Sequence, residues 1–434
     1  MRVLSRRHLL AAAGAAMGAG VLSSCSGVAG SAGGGGGGNA GRSVRYAFWG
    51  NNVRQENYQA AFDEMADELP DINLELEFAE YNAYRERMTT QMAAQNVADV
   101  FWVPSPDVLT YHANGLFRRV DDLETLDLSD FSEDDIRDFE LQGELNTVPF
   151  GIHVPVVRYN RTFADEDGVE LPDEWDWNDL AEIARDYTNN NSHGRKALSY
   201  RVDHDHSVQN WLRQHGEQLW SEDGGLGFTA ETLAEWIAYW ENLRQAGATT
   251  TVSEQDGVEP SWTDIGDSIL LHLGNANHAI DEADMFPDFD FGLKHPPIAP
   301  DAPEGFRFLY MPRMAVYANA ADEVLEPAGE VLSYCINNTT MLRHVGLTMG
   351  TPINPRVAEE YREFASDIEL EMLEVGEADR AATRDPVYES PPGASEWRVT
   401  LRRVVEGIIN GETGISDGAQ QIVDEVQRNI DRAS

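Results

Sequence analysis

Between Val44 and Val103 the chain repeats one pattern: an extended apolar run, a segment with helical spacing, then another extended run. Val44 to Trp49 reads as a strand and turns out through Gly50-Asn51-Asn52. From about Val53 to Leu69, Tyr58, Phe62, Met65 and Leu69 recur at spacings of four, three and four, which marks one face of a helix, and Pro70 ends it. Ile72, Leu74, Leu76 and Phe78 then alternate with Asn73, Glu75 and Glu77, a period-two strand. A second helix is expected over about Ala83–Gln95 and a third strand over Ala98–Val103. Strand, helix, strand, helix, strand implies a parallel sheet with helical crossovers. Ligands of such sheets lie beyond the carboxyl ends of the strands. Those ends are Gly50–Asn52, Ala79–Tyr81 and Pro104–Asp107, each polar or turn-rich and each beside an aromatic: Trp49, Tyr81 or Trp102.

A second feature is Pro149 to Asn160, PFGIHVPVVRYN. Ile152, Val154, Val156 and Val157 suit a buried strand, while Pro155 removes one backbone donor from it. The stretch reads as a strand that leaves one lobe and enters another, so a ligand here would bind between lobes. At 434 residues the chain is long enough for two lobes. Beyond it the sequence becomes more helical. Trp177–Tyr187 and Leu233–Leu243 carry apolar helical faces, and Trp236 and Trp240 belong to the core side of the latter. A helix is expected over Ile265–Leu273, then a polar turn at Gly274–Asn277, a strand at Phe289–Leu293 and a strand-like run at Phe308–Ala318. Helices follow over Val324–Ile336, Glu396–Ile409 and Asp417–Arg432.

The formal charge is −43, from 75 acids against 32 bases, and only Lys196 and Lys294 are lysines. Phosphates would be repelled, so nucleic acid is excluded as a partner. The acids are spread along the whole chain, as on a solvated surface suited to salty surroundings. Neither lysine is followed by Ser or Thr, and no H-E-x-x-H or G-x-S-x-G occurs. Asp203-His204-Asp205-His206 has metal-ligating side chains, but neighbours one and two apart do not converge on a helix, and the run reads as a polar loop. No metal and no cofactor are expected. Cys335 lies in an apolar helical run and reads as a buried thiol.

Residues 1–24 have a basic start, an apolar stretch and small residues before Cys25, the pattern of an export signal. Ser5-Arg6-Arg7-His8-Leu9-Leu10 resembles a twin-arginine signal, with Leu9 in place of the usual Phe; a plain secretory signal is the alternative. Leu22-Ser23-Ser24-Cys25 resembles a lipobox, in which the Cys25 thiol is acylated and becomes the new N-terminus. Residues 25–42, rich in Gly and Ser, then form a flexible tether. The expected product is an extracytoplasmic, membrane-anchored lipoprotein at the cell surface.

YAFWGNN, ADVFWVPSPD, VPFGIHVPVVRYN and INNTTMLRHVGLTMGTPINP, taken in order, resemble the sugar-type extracellular solute-binding proteins of ABC importers. WLRQHGEQLWSEDGGLGF and the ending SEWRVTLRRVVEGIINGETGISDGAQQIVDEV are similar to the same family. The resemblance spans Val44 to Asp431. It implies an α/β, two-lobed periplasmic-binding-protein-like fold with a three-segment hinge and a ligand cleft between the lobes. The crossings would lie near Ile152–Pro155, His295–Pro297 and Asn337–Thr340. One lobe would comprise 43–154 and 297–338, the other 155–296 and 339–434. The implied protein is a monomer and no enzyme; it captures a sugar or oligosaccharide by lobe closure and delivers it to ABC permease subunits in the membrane.

The resemblance places Trp49, Asn51, Tyr81 and Asp107 at the cleft in the first lobe, and Asn210, Trp211, Asn275 and Trp397 in the second. Arg313 lies where the chain returns to the cleft, His153 near the cleft floor, and Trp102 and Trp262 are further candidates. These residue types suit a sugar: Trp and Tyr cover its C–H faces, while Asn, Asp and Arg reach hydroxyl pairs. Each has a structural alternative. Trp49 can plug the sheet end, Trp102 and Trp211 can belong to cores, Trp262 can staple a helix, and Asp107 can cap one. Two other readings stand beside the binding protein. A secreted glycoside hydrolase needs two carboxylates across a cleft, and 75 acids supply many pairs. A binding protein for a cationic small molecule would line its cleft with acids.

Overall fold

The computed structural model describes residues 42–256 and 268–433. The first of its two sheets grows from the expected repeat: β1 (Ser43–Trp49), α1 (Asn52–Glu68), β2 (Asn73–Ala79), α2 (Tyr81–Ala93) and β3 (Val100–Val103). β1 lies between β2 and β3, parallel to both. Asn51 caps α1 by accepting the Arg54 N–H at 2.8 Å. Tyr58, Phe62 and Met65, the residues of the sequence periodicity, are its buried face. Two short helices, α3 (Val108–Ala113) and α4 (Glu133–Phe139), lead to β4 (Val148–Pro149).

The second sheet starts at β5 (Pro155–Asn160). The 149–160 stretch therefore ends one sheet and begins the other. Pro155 is the first residue of β5, where a missing N–H costs the ladder least. Then come α5 (Arg161–Asp167), α6 (Trp177–Asn190), β6 (Lys196–Leu198), α7 (Asp205–Gln214), α8 (Ala230–Gln245) and α9 (Val252–Asp256). β7 (Ile269–Asn275), α10 (His278–Met285) and β8 (Phe291–Lys294) complete this sheet, in the order β6-β7-β5-β8. The helix expected over Ile265–Leu273 is corrected here: from Ile269 onward the chain is a strand. β7 runs between β6 and β5 with all but its last residue buried. A strand covered on both faces reads as a continuous apolar run, which periodicity cannot tell from a helix.

β9 (Arg313–Val316) returns to the first sheet, antiparallel between β3 and β4. The helices α11 (Asp322–Asn337), α12 (Thr339–Val345), α13 (Pro355–Tyr361), α14 (Asp367–Ala381), α15 (Trp397–Ile409) and α16 (Ile415–Ala433) follow. α12 lies against α1, and Arg343 and His344 both meet Glu64, at 2.9 and 2.7 Å. α14 packs on β8 and α10, and α15 and α16 pack together with α16 against α8. Trp236 and Trp240 are fully buried, as their spacing predicts. Two large apolar cores result, one under each sheet, which gives the two-lobed α/β architecture.

Three close approaches fix the passage between the sheets. The Ile152 N–H donates to Thr351 O at 2.8 Å, and the Thr351 N–H donates back at 2.9 Å. A Cβ on Gly151 would stand 1.9 Å from the Met349 carbonyl oxygen, so only glycine fits. The Phe150 N–H donates to Pro312 O at 3.1 Å. Residues 295–307 stay with the second sheet's helices. Trp175 Nε1 donates to His295 O, Gln214 Nε2 to Pro297 O, and Arg213 to the carbonyls of Gly305 and Phe306. Cys335 is half-buried in α11, and burial pushes its thiol up to about 12. No described helix is long and apolar enough to cross a membrane.

Candidate functional site

The carboxyl ends of β1 and β3 and the N-terminus of α2 form one wall. Trp49 ends β1 half-buried, its ring 5.5 Å from Tyr81 and 5.0 Å, edge to face, from Trp102. Tyr81 opens α2, and Arg85 follows one turn later on the same face, 6.0 Å from the Tyr81 ring centroid. Arg85 grips Asp107 with two hydrogen bonds, of 2.7 and 2.9 Å. That fork holds the Arg85 guanidinium firmly charged. Asp107 precedes α3 but makes no capping bond with its side chain.

The opposite wall is built from α7 and α15. His204 caps α7 by accepting the Ser207 N–H, and Asp205 and His206 form its first turn. Arg398, in the first turn of α15, donates to Asp203 O at 2.9 Å and lies 3.9 Å from Asp205. Burial works against the Asp205 carboxylate, yet Arg398, His206 and nearby N–H groups hold it below the usual range. The two walls act on each other. Burial pushes the Tyr81 phenol up to about 12, and the charges bearing on it are Arg85 and Asp107 from its own side and Asp205 and Arg398 from the other. Glu396 likewise bears on Arg85.

The floor is made by the chain segments between the sheets. His206 Nδ1 donates to Asn275 Oδ1 at 2.6 Å, and the His206 ring lies 4.3 Å from Tyr310. Tyr310 stacks on His153. Burial raises the Tyr310 phenol far above its ordinary value, with Ser105 acting in the opposite direction. His153 is 6% exposed, and its Nδ1 has no partner. Burial first, then the charges of His206 and Arg54, push its pKa down to about 3, so it stays neutral. Among the described residues no group of three or more His, Cys, Asp and Glu could hold a metal, and the Asp203–His206 run serves as cap and first turn of α7.

The expected site residues thus divide. Trp49, Tyr81 and Asp107 belong to the first of these groups, and His153 and Asn275 to the last. Asn210, one turn beyond His206 on α7, is buried with Nδ2 unpartnered. Trp397 is buried at the start of α15, between Glu396 and Arg398, with Trp220 edge to face at 6.0 Å. Asn51 is exposed and spent on its cap. Trp102 has no exposed surface, and its Nε1 donates to Tyr46 Oη at 2.8 Å, so it underlies Trp49. Trp211 packs among Trp177, Trp236 and Tyr239. Arg313 is 5% exposed and donates to Phe139 O and Thr147 Oγ1. Trp262 and Cys25 lie outside the described residues. Sequence reasoning passed over Arg85, His206, Tyr310 and Arg398. Arg85 was findable from its spacing to Tyr81, and His206 from the run set aside as a loop.

A family model described as bacterial extracellular solute-binding protein matches residues 57–371. Among solved structures, a periplasmic solute-binding protein from Pectobacterium atrosepticum is 18% identical over 90% of this chain and 99% of its own, with a TM-score of 0.77. An oligogalacturonide-binding protein from Yersinia enterocolitica, in complex with saturated digalacturonic acid, is 15% identical over 90% and 99%, at TM-score 0.76. An ABC substrate-binding protein from Listeria monocytogenes, in complex with cycloalternan, is 15% identical over 90% and 99%, at 0.74. With most of its length matched by the family model and its two sheets arranged as in these folds, the chain belongs to the bacterial extracellular solute-binding protein family.

Proposed function

We propose that this protein captures a sugar or oligosaccharide between its two lobes and delivers it, chemically unchanged, to an ABC importer. The observation that carries the reading is the pair of facing walls, Tyr81 with Arg85–Asp107 against Asp205 with Arg398 and Trp397. Arginine–carboxylate pairs beside aromatic rings offer donors and acceptors to hydroxyls and a flat surface to the C–H face. Two fold relatives have carbohydrates as their bound ligands, which agrees with this. Trp49, Tyr81, Asp107, His153, Asn210, Asn275 and Trp397 would line the site with Arg85, His206 and Tyr310.

Closure would turn on three crossings. The first would be at 150–154; the hold of α7 on residues 295–307 favours a second at about 308–312, and the packing of α12 on α1 favours a third between α13 and α14. Export by a twin-arginine-type signal, acylation of Cys25 and a Gly-rich tether would keep a monomer at the membrane surface beside its permease. Titration of tryptophan fluorescence with a panel of oligosaccharides tests the core of the reading. Saturable binding with the sugar recovered intact is expected; release of cleaved sugar, or saturation only by cationic ligands, would overturn it. An unmodified Cys25 in the native N-terminal peptide would remove the anchor.

A further inference from the structure

Arg54 stands apart from the other arginines of the cleft. Arg85 is paired with Asp107, and Arg398 faces Asp205. Arg54 makes no ion pair among the described residues, and its shielded Nε has no hydrogen-bond partner there. A Cβ on Gly50 would stand 2.5 Å from Arg54 Cδ, so the side chain lies back over the end of β1. It belongs to the 17-residue α1, whose first turn carries no acidic residue. The positive end of the helix and the guanidinium therefore add.

A second observation points the same way. His153, nine-tenths buried with Nδ1 unpartnered, feels two charges, Arg54 and His206, and no carboxylate. His206 has Asp205 beside it, so the charge left without a partner on this side is that of Arg54, while the groups around Tyr81 form matched pairs. Closing the lobes over a neutral sugar would return hydroxyl acceptors to the desolvated guanidinium but no countercharge, which an oxyanion would supply as well.

We propose that Arg54 and the first turn of α1 form an anion subsite, so that the captured sugar carries an acidic group, a uronic carboxylate or a phosphate ester. This rests on the sugar reading above. A guanidinium fork matches either oxyanion in two-point geometry, and the neutral His153 can hydrogen-bond an adjoining hydroxyl without adding charge.

The test is calorimetry of the mature protein with matched neutral and uronic disaccharides and with sugar phosphates. An acidic member is expected to bind at least about tenfold tighter than its neutral counterpart, a preference that shrinks with added salt. Arg54→Gln should erase the difference and Arg54→Lys retain most of it. The carboxylate and phosphate arms tell the two sources apart. Neutral sugars binding as tightly as acidic ones, or a preference that survives Arg54→Gln, overturns the subsite and leaves the sugar reading intact. If no sugar of either class binds, the sugar reading falls and the subsite with it.

Discussion

His153 and Tyr310 stack with their ring planes 17° apart and centroids at 5.8 Å, while their backbones exchange hydrogen bonds of 2.7 and 3.0 Å. Tyr310 also meets His206 of α7, so one ring joins two connecting segments to the second lobe. Tyr310→Ala should weaken ligand binding by roughly 1–3 kcal/mol, the usual worth of a well-packed aromatic. Isothermal titration beside wild type measures it. Unchanged affinity would separate the stack from the site.

Acid should destabilise the protein through its buried histidines. The folded pKa of His153 is about 3 against an ordinary 6.5, so the unfolded chain binds the extra proton between those values. Stability is therefore full above about pH 6.5 and declines as the pH falls toward about 3. At pH 5 the loss from His153 alone is about 2 kcal/mol, at 1.36 kcal/mol per pH unit. His204 and His278 are pushed the same way, chiefly by burial. Urea melts at pH 7 and 5 should show the drop, and His153→Gln should reduce it.

Gly151→Ala should cost several kcal/mol, because the new methyl would overlap the Met349 carbonyl and the backbone there is braced by the Ile152–Thr351 pair. A denaturant midpoint close to wild type would mean that the crossing is more pliable than this packing implies.

Two tryptophans should behave differently. Trp102→Phe removes the N–H that meets Tyr46 inside the first core, and about 1 kcal/mol of stability with it, without changing affinity. Trp397→Ala should lower affinity by about 1–3 kcal/mol beyond any loss of stability. Paired thermal melts and ligand titrations distinguish these outcomes.

Salt should stabilise the fold. With a formal charge of −43, self-repulsion is large at low ionic strength and screened at high. The melting temperature is expected to rise across a potassium chloride series; a flat series would argue against a saline habitat.

Much of the first sheet was legible because its signals are local. The alternation in Ile72–Phe78 and the four-three-four spacing in α1 report only on neighbours along the chain, and both elements formed as read. β7 was misread because its burial on both faces is invisible to a periodicity argument. Aromatic type did not separate site from core: Trp49 and Trp102 touch each other, yet one is half-buried and the other has no exposed surface.

The sequence by itself determined the alternation from β1 to β3, the parallel start of the first sheet and the place where Pro149–Asn160 leaves one sheet for the other. Period, proline and glycine act within a few residues, so these needed no partner. Only the tertiary structure decided that Tyr81 and Arg85 would face Asp205 and Arg398, that Arg313 would be spent on Phe139 and Thr147, and that Arg54 would be left unpaired. Those outcomes depend on contacts between segments far apart in the chain, where each charge is set by whatever the fold brings beside it.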